Sequence, residues 1–221
     1  MIIMHKSILN LNSIKKEIKK DNSNLNKLEI IAISKTFPIS EILPIIEKNH
    51  LHFGENKIQE ALEKWPSIKD KYKELKLHFV GKLQSNKVKF VIPLFDYIHS
   101  LDSIKLAEKI ASQQSKINFK PKIFIQVNIG DESQKSGISI NELDDFIPYC
   151  KKKLSLDIIG LMCIPPNNTD AEPYFDKMKK LNESFGFKDL SMGMSADYKI
   201  AIKYGSTFIR IGSKIFGERA K

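Results

Sequence analysis

Cysteine and tryptophan are nearly missing from this 221-residue chain, which has two of the first and one of the second. Cys150 and Cys163 show no paired metal-ligand spacing, and Cys163 lies inside an apolar run. Neither a disulfide framework nor a zinc site is expected from them, and both read as reduced thiols in or near the core. No apolar run approaches the roughly 18 residues of a membrane span. The start, Met1-Ile2-Ile3-Met4-His5-Lys6, turns polar too soon for a secretory leader. A soluble, cytoplasmic protein without a membrane partner is therefore expected. Acidic residues are outnumbered, 26 against 36 lysines and arginines, for a formal charge of +10. The lysines are scattered instead of gathered into an aromatic-laced stripe, so they read as solvated helix faces and not as a nucleic-acid surface.

What is present is a globular composition, 42% hydrophobic and 28% charged, arranged as strand-then-helix units. An amphipathic helix comes first, with Ile8, Leu11, Ile14 and Ile18 on one face of residues 7–20. The run Ile30-Ile31-Ala32-Ile33 reads as a strand buried on both faces. It is followed by a helix over 41–48, with Ser40 as cap and Pro44 in the first turn. The pattern repeats in order: strand 51–54 with helix 56–64, strand 77–81 with helix 85–91, strand 97–100 with helix 103–114, and strand 122–127 with helix 139–152. Strand 158–164 precedes a helix opened by Thr169 and Glu172, strand 190–194 precedes a helix capped by Ser195, and 207–212 is the eighth strand. Eight such units in series predict an α/β fold, a single (β/α)8 TIM barrel spanning 1–221 with an extra N-terminal helix. A doubly wound sheet would carry Gly-x-Gly-x-x-Gly after its first strand, and Ser34-Lys35-Thr36-Phe37-Pro38 has no glycine.

In a barrel, Lys35, Asn56, Gln84, Met162, Ser195, Arg210, Gly212 and Ser213 all fall at or just past the carboxyl ends of strands, where barrels build their sites. Lys35 either ends a hydrophobic run and snorkels to water or presents its amine to a site. The loops after strands seven and eight, Met194-Ser195-Ala196 and Gly212-Ser213-Lys214, stand where barrels hold phosphate, although each alone also fits an ordinary helix cap. A buried lysine facing a phosphate site suggests a Schiff base to pyridoxal 5'-phosphate (PLP), because a lowered amine pKa frees it to attack an aldehyde. Arg210 is placed to meet the pyridine nitrogen. Pairing with Glu218 is its alternative. His50 and His52 alternate on a strand, which fits barrel-wall histidines better than a metal site, for no third ligand cluster stands nearby. Gly212 to Gly217 has P-loop glycine spacing, but Glu218-Arg219 replaces the needed Lys-Ser/Thr.

Several segments resemble the YggS/PROSC family of pyridoxal phosphate homeostasis proteins: Ala32 to Thr36, His52 to Asn56 with Gln59-Glu60, His78 to Gly81, and Leu83 to Lys87. Lys135-Ser136-Gly137, Gly160-Leu161-Met162, Leu190 to Ser195, Arg210 to Ser213 and Ile215-Phe216-Gly217 continue the match in the same order. The resemblance implies that Lys35 bears PLP, Arg210 faces the pyridine nitrogen, and Ser195, Gly212 and Ser213 cradle the phosphate. It also implies that Asn56 and Met162 line the ring pocket. Ser213 stands where the family often has threonine, and Lys82 departs at the rim. The fold-related alanine racemases carry a second, β-rich domain with an opposing base, which this sequence does not show, and an arginine at the ring nitrogen makes PLP a poor electron sink. The expectation is a monomeric PLP carrier for apo PLP-dependent enzymes, with a racemase-like enzyme of low activity as the alternative.

Overall fold

The structure, a computed structural model, describes residues 4–21, 27–132, 134–167 and 169–218, so the reading of the first three residues lies outside it. Strands β1 (Glu29–Ile33), β2 (His52–Glu55), β3 (Lys76–Phe79), β4 (Tyr97–Leu101), β5 (Lys122–Gln126), β6 (Asp157–Met162), β7 (Asp189–Met194) and β8 (Phe208–Ile211) form a closed barrel. Each strand runs parallel to the next, and β8 returns to pair with β1, Ile30 opposite Ile209 and Ala32 opposite Ile211. This is the predicted TIM barrel, and it follows from the sequence's own alternation of β-branched runs with capped helical stretches.

Helices α1 (Lys6–Asp21), α2 (Ile39–Ile46), α3 (Ile58–Lys64), α4 (Pro66–Lys71), α5 (Val88–Val91), α6 (Ile104–Ile117), α7 (Leu143–Pro148), α8 (Glu172–Ser184), α9 (Tyr198–Lys203) and α10 (Ser213–Phe216) surround it. The predicted face of α1, Ile8, Leu11, Ile14 and Ile18, is buried. It packs α1 against α10 and α2, and Asn10 Nδ2 donates to the Ile215 carbonyl at 2.9 Å. The extra helix thus sits on the outer ring beside the last unit.

Two hydrophobic clusters result. A large one fills the space between strands and helices. A small one, Ile31, Ile33, Tyr97, Phe124, Met162 and Phe208, occupies the barrel interior.

Three helix starts differ from expectation. α2 opens at Ile39 behind the extended Pro38 (ψ 161), so Ser40 lies inside the helix and Pro44 falls beyond the first turn. α8 is capped by Ala171 instead of Thr169, whose hydroxyl donates to the Pro166 carbonyl, while Asp170 takes the Glu172 N–H. α9 is capped by Asp197, which accepts the Met194 N–H at 2.6 Å, and Ser195 lies in the preceding turn. In each case the expected hydroxyl residue is not the N-cap: Pro38 and Ala171, which have no polar side chain, and Asp197 take that place. The capping box of Ser139 and Glu142 is present, but it opens a 3-10 turn (Ile140–Glu142) that leads into α7 and then a π-helical turn (Tyr149–Lys153). Among the described residues no helix is long and apolar enough to cross a membrane.

Candidate functional site

The turn after β1 is bound on both sides of Lys35. Ser34 N–H donates to the Gly54 carbonyl at 3.0 Å and its hydroxyl donates to Glu55 Oε1 at 2.8 Å. Lys64 Nζ reaches the Ser34 carbonyl and Glu55 Oε1, both at 3.0 Å, and Glu60 Oε1 at 2.8 Å. On the far side Thr36 N–H donates to Glu60 Oε1. Thr36 has φ 68, a left-handed conformation uncommon for a β-branched residue and typical of positions that the surroundings over-determine. Trp65 Nε1 also donates to Glu55 Oε1, at 3.0 Å. Burial pushes the Glu55 carboxyl upward, and the Lys64 ammonium opposes that shift.

These contacts aim Lys35 at a cavity of about 680 Å³ on the carboxyl rim of the barrel, within the size range of small-molecule sites. Lys35, Asn56, Ser195, Arg210, Gly212 and Ser213 line it, as expected. They come from the ends of β1, β2, β7 and β8, so the barrel unites residues spread over most of the chain. Two rim residues are elsewhere. Met162 is buried in the interior cluster beneath the cavity, and Ile164 lines the wall in its place. Gln84 lies outside the cavity lining and precedes the 3-10 turn Ser85–Lys87.

Arg210 is 5% exposed and is anchored from the barrel side. Its Nη1 donates to Ser191 Oγ at 2.7 Å and its Nη2 to the Cys163 carbonyl at 2.8 Å. It is these partners, and not Glu218, that hold the guanidinium. Gly212 caps α10, and a Cβ there would come within 3.3 Å of Ile33 Cβ, so backbone closeness to β1 favours glycine. Asn56 Oδ1 is buried without a hydrogen-bond partner among the described residues, the kind of acceptor that a ligand donor satisfies.

Glu55, Glu60, Lys64, Trp65 and Ser191 are members of this arrangement that have no role in the reading of the sequence above. Glu55, Glu60 and Ser191 lie inside the motifs noted above, which was the available signal. The histidines also resolve. His50 Nε2 bonds the His52 carbonyl at 3.0 Å, while His52 points into the barrel toward His78. Among the described residues no cluster suited to a metal ion is found.

Residues 9–220 match the family model described as alanine racemase, N-terminal domain. The pyridoxal phosphate homeostasis protein of Haemophilus influenzae is 38% identical over 224 residues, covering 95% of this chain and 94% of that one. The structure of PipY from Synechococcus elongatus with PLP bound superposes with a TM-score of 0.85 at 31% identity, over 96% of this chain and 100% of that one. A Clostridium difficile alanine racemase shares the fold alone, with a TM-score of 0.74 at 14% identity over 98% of this chain and 57% of that one. The chain belongs to the alanine racemase N-terminal domain family, among its pyridoxal phosphate homeostasis proteins.

Proposed function

We propose that this chain binds PLP in the rim cavity and serves intracellular cofactor and amino-acid homeostasis. The observation that carries the reading is the convergence of Lys35 and Arg210 on one cavity whose wall holds the unpartnered Asn56 Oδ1. The residues fit the cofactor: an amine, a guanidinium, a free acceptor, and the Ser195 and Gly212-Ser213 backbone at loops suited to an anion. Lys35 would hold the cofactor through its amine, and PLP would supply an aldehyde carbon able to take a reversible covalent link to an amine. Arg210 would meet the ring nitrogen and would disfavour its protonation, because a second positive charge beside a guanidinium is repelled. Poor electron withdrawal by the ring suits holding and delivery better than carbanion chemistry. Apo PLP-dependent enzymes in the cytoplasm are the proposed recipients, served by the monomer.

Borohydride reduction of the PLP-loaded protein, followed by peptide mapping, is expected to place the pyridoxyl mass on the Lys35 peptide. Its appearance on Lys82 or Lys214 would relocate the tether. Loaded protein is also expected to activate an apo PLP-dependent enzyme while leaving free amino acids unchanged. Rapid racemisation abolished by Lys35→Ala would instead support the enzymatic alternative.

A further inference from the structure

A line of polar side chains crosses the barrel interior from the cofactor rim to the opposite face. Arg210 Nη1 donates to Ser191 Oγ at 2.7 Å, and Ser191 Oγ lies 2.9 Å from His99 Nδ1. His99 Nε2 meets His78 Nδ1, and His78 Nε2 meets His52 Nδ1, each at 2.9 Å. His52 Nε2 lies 3.4 Å from Glu29 Oε2, where β1 and β2 begin. Barrel interiors are ordinarily filled by bulky aliphatic residues. Burying a guanidinium and three imidazoles there is unfavourable unless each is bonded.

The two ends of the line impose one direction. Burial holds His78 and His99 well below the ordinary histidine value and lowers His52 to about 4. All three are therefore neutral at pH 7, each with one donor and one acceptor, and the Glu29 contact is an N–H facing a carboxylate instead of an ion pair. A guanidinium only donates, so Ser191 accepts from Arg210 and passes its own proton to His99 Nδ1. His99 then donates from Nε2 to His78, and His78 from Nε2 to His52. Glu29, as a carboxylate, only accepts, which demands the same order from the far end. Other charged groups nearby, Lys76 on β3, Asp96 before β4 and Lys122 on β5, act on His52 through space. Tyr97 stacks on His78 at 4.2 Å and Phe124 on His99 at 4.5 Å, both without replacing a link.

We propose that Ser191, His99, His78 and His52 are positioning residues for Arg210, which hold its guanidinium in one orientation toward the ring of the bound cofactor. This rests on the PLP reading above. Leucine or phenylalanine would fill the same volume, so packing alone does not account for four hydrogen-bonding side chains in series.

Nitrogen-15 NMR of histidine-labelled protein, with and without PLP, tests the orientation directly. The Nε2–H tautomer is expected at His52, His78 and His99, with a shift change at His99 on loading. An Nδ1–H tautomer at His78 or His99 overturns the proposal. In variants, Ser191→Ala and His78→Leu are expected to weaken PLP retention about tenfold, the worth of one buried hydrogen bond. They should also move the cofactor's visible absorption while Lys35 is still captured by borohydride. Phe124→Leu, which removes a stacked ring but no hydrogen bond, should keep the wild-type band. Bands unmoved in the first two variants, or moved as far by Phe124→Leu, overturn the positioning role. Should a variant fail to fold, the tautomer measurement on the unaltered chain decides. Wild-type protein that takes up no PLP would defeat the cofactor reading instead, and the tautomers would still report on the line itself.

Discussion

Lys64 is 9% exposed at its side chain, beside a Glu55 that is wholly buried, and its ammonium holds three oxygens around the Lys35 turn. Replacing it with methionine would leave Glu55 without its cation in a place where burial already raises the carboxyl pKa. Removing one partner of a buried pair costs about 3 to 5 kcal/mol, so Lys64→Met should lower the unfolding free energy by about that amount, read as a lower urea midpoint, and weaken PLP uptake as well. Unchanged stability would mean that Glu55 is satisfied by Ser34 and Trp65 alone. At the phosphate end the expected effect is smaller. Ser213 begins α10, and backbone donors are proposed to do most of the holding there. Ser213→Ala should weaken PLP binding by about 0.5 to 1.5 kcal/mol, one neutral hydrogen bond, as measured by equilibrium titration. The roles of Glu55 and Lys64 were not legible in the sequence, because nine positions along the chain say nothing about a shared oxygen until β2 and α3 are folded side by side.

Among the elements, β7 depends on one glycine. The register with β8 shifts between Ser191 and Met194, and Gly193 there adopts φ 89. A Cβ at Gly193 would meet Ala201 Cβ at 2.5 Å and Tyr198 Cα at 3.0 Å. Gly193→Ala therefore combines left-handed strain with a clash against α9. It should destabilise by about 2 kcal/mol or more, read as a lower unfolding midpoint, and should displace the Ser195 turn from the cavity. A full-stability variant would show that α9 can shift freely. The strand itself was legible as an apolar run, whereas its cap was not. Asp197 won over Ser195 because the irregular end of β7 leaves the Met194 N–H pointing at the aspartate. The pairing of β5 with β6 slips in the same way between Ile123 and Phe124. Met162, the last residue of β6, packs in the interior cluster, against which Ile159 also packs.

For the molecule as a whole, the buried histidines dictate a pH response. Burial lowers His50 to about 3 and His52 to about 4 from an ordinary value of 6.5, and it lowers His78 and His99 as well. These groups bind protons in the unfolded chain but not in the native one below pH 6.5. Their contribution to stability is therefore complete above pH 6.5 and is lost as pH falls toward their folded values. Each adds a slope of about 1.4 kcal/mol per pH unit inside that window. Urea midpoints are expected to be level near pH 7 to 8 and to drop steeply between pH 6 and 4. His52→Gln should remove one histidine's share of the slope, and a profile that stays flat to pH 5 would show that these imidazoles are solvated.

The order of strands and helices, the closure of eight units into a barrel, the apolar face of α1 and the rim position of Lys35, Asn56, Ser195, Arg210, Gly212 and Ser213 were legible in the sequence. Each follows from local periodicity and from chain order, since every strand of a barrel presents its carboxyl end to the same face. Only the tertiary structure decided which inward side chains share a level inside the barrel. That depends on strand tilt, stagger and three register slips, none of which leaves a periodic trace. His52, His78, His99, Ser191 and Arg210 read separately as isolated polar residues on different strands. The folded barrel joins them into one line, because closure brings inward side chains of adjacent strands, and of β4 and β7 across the interior, within 2.9 Å of each other although they stand up to 92 positions apart.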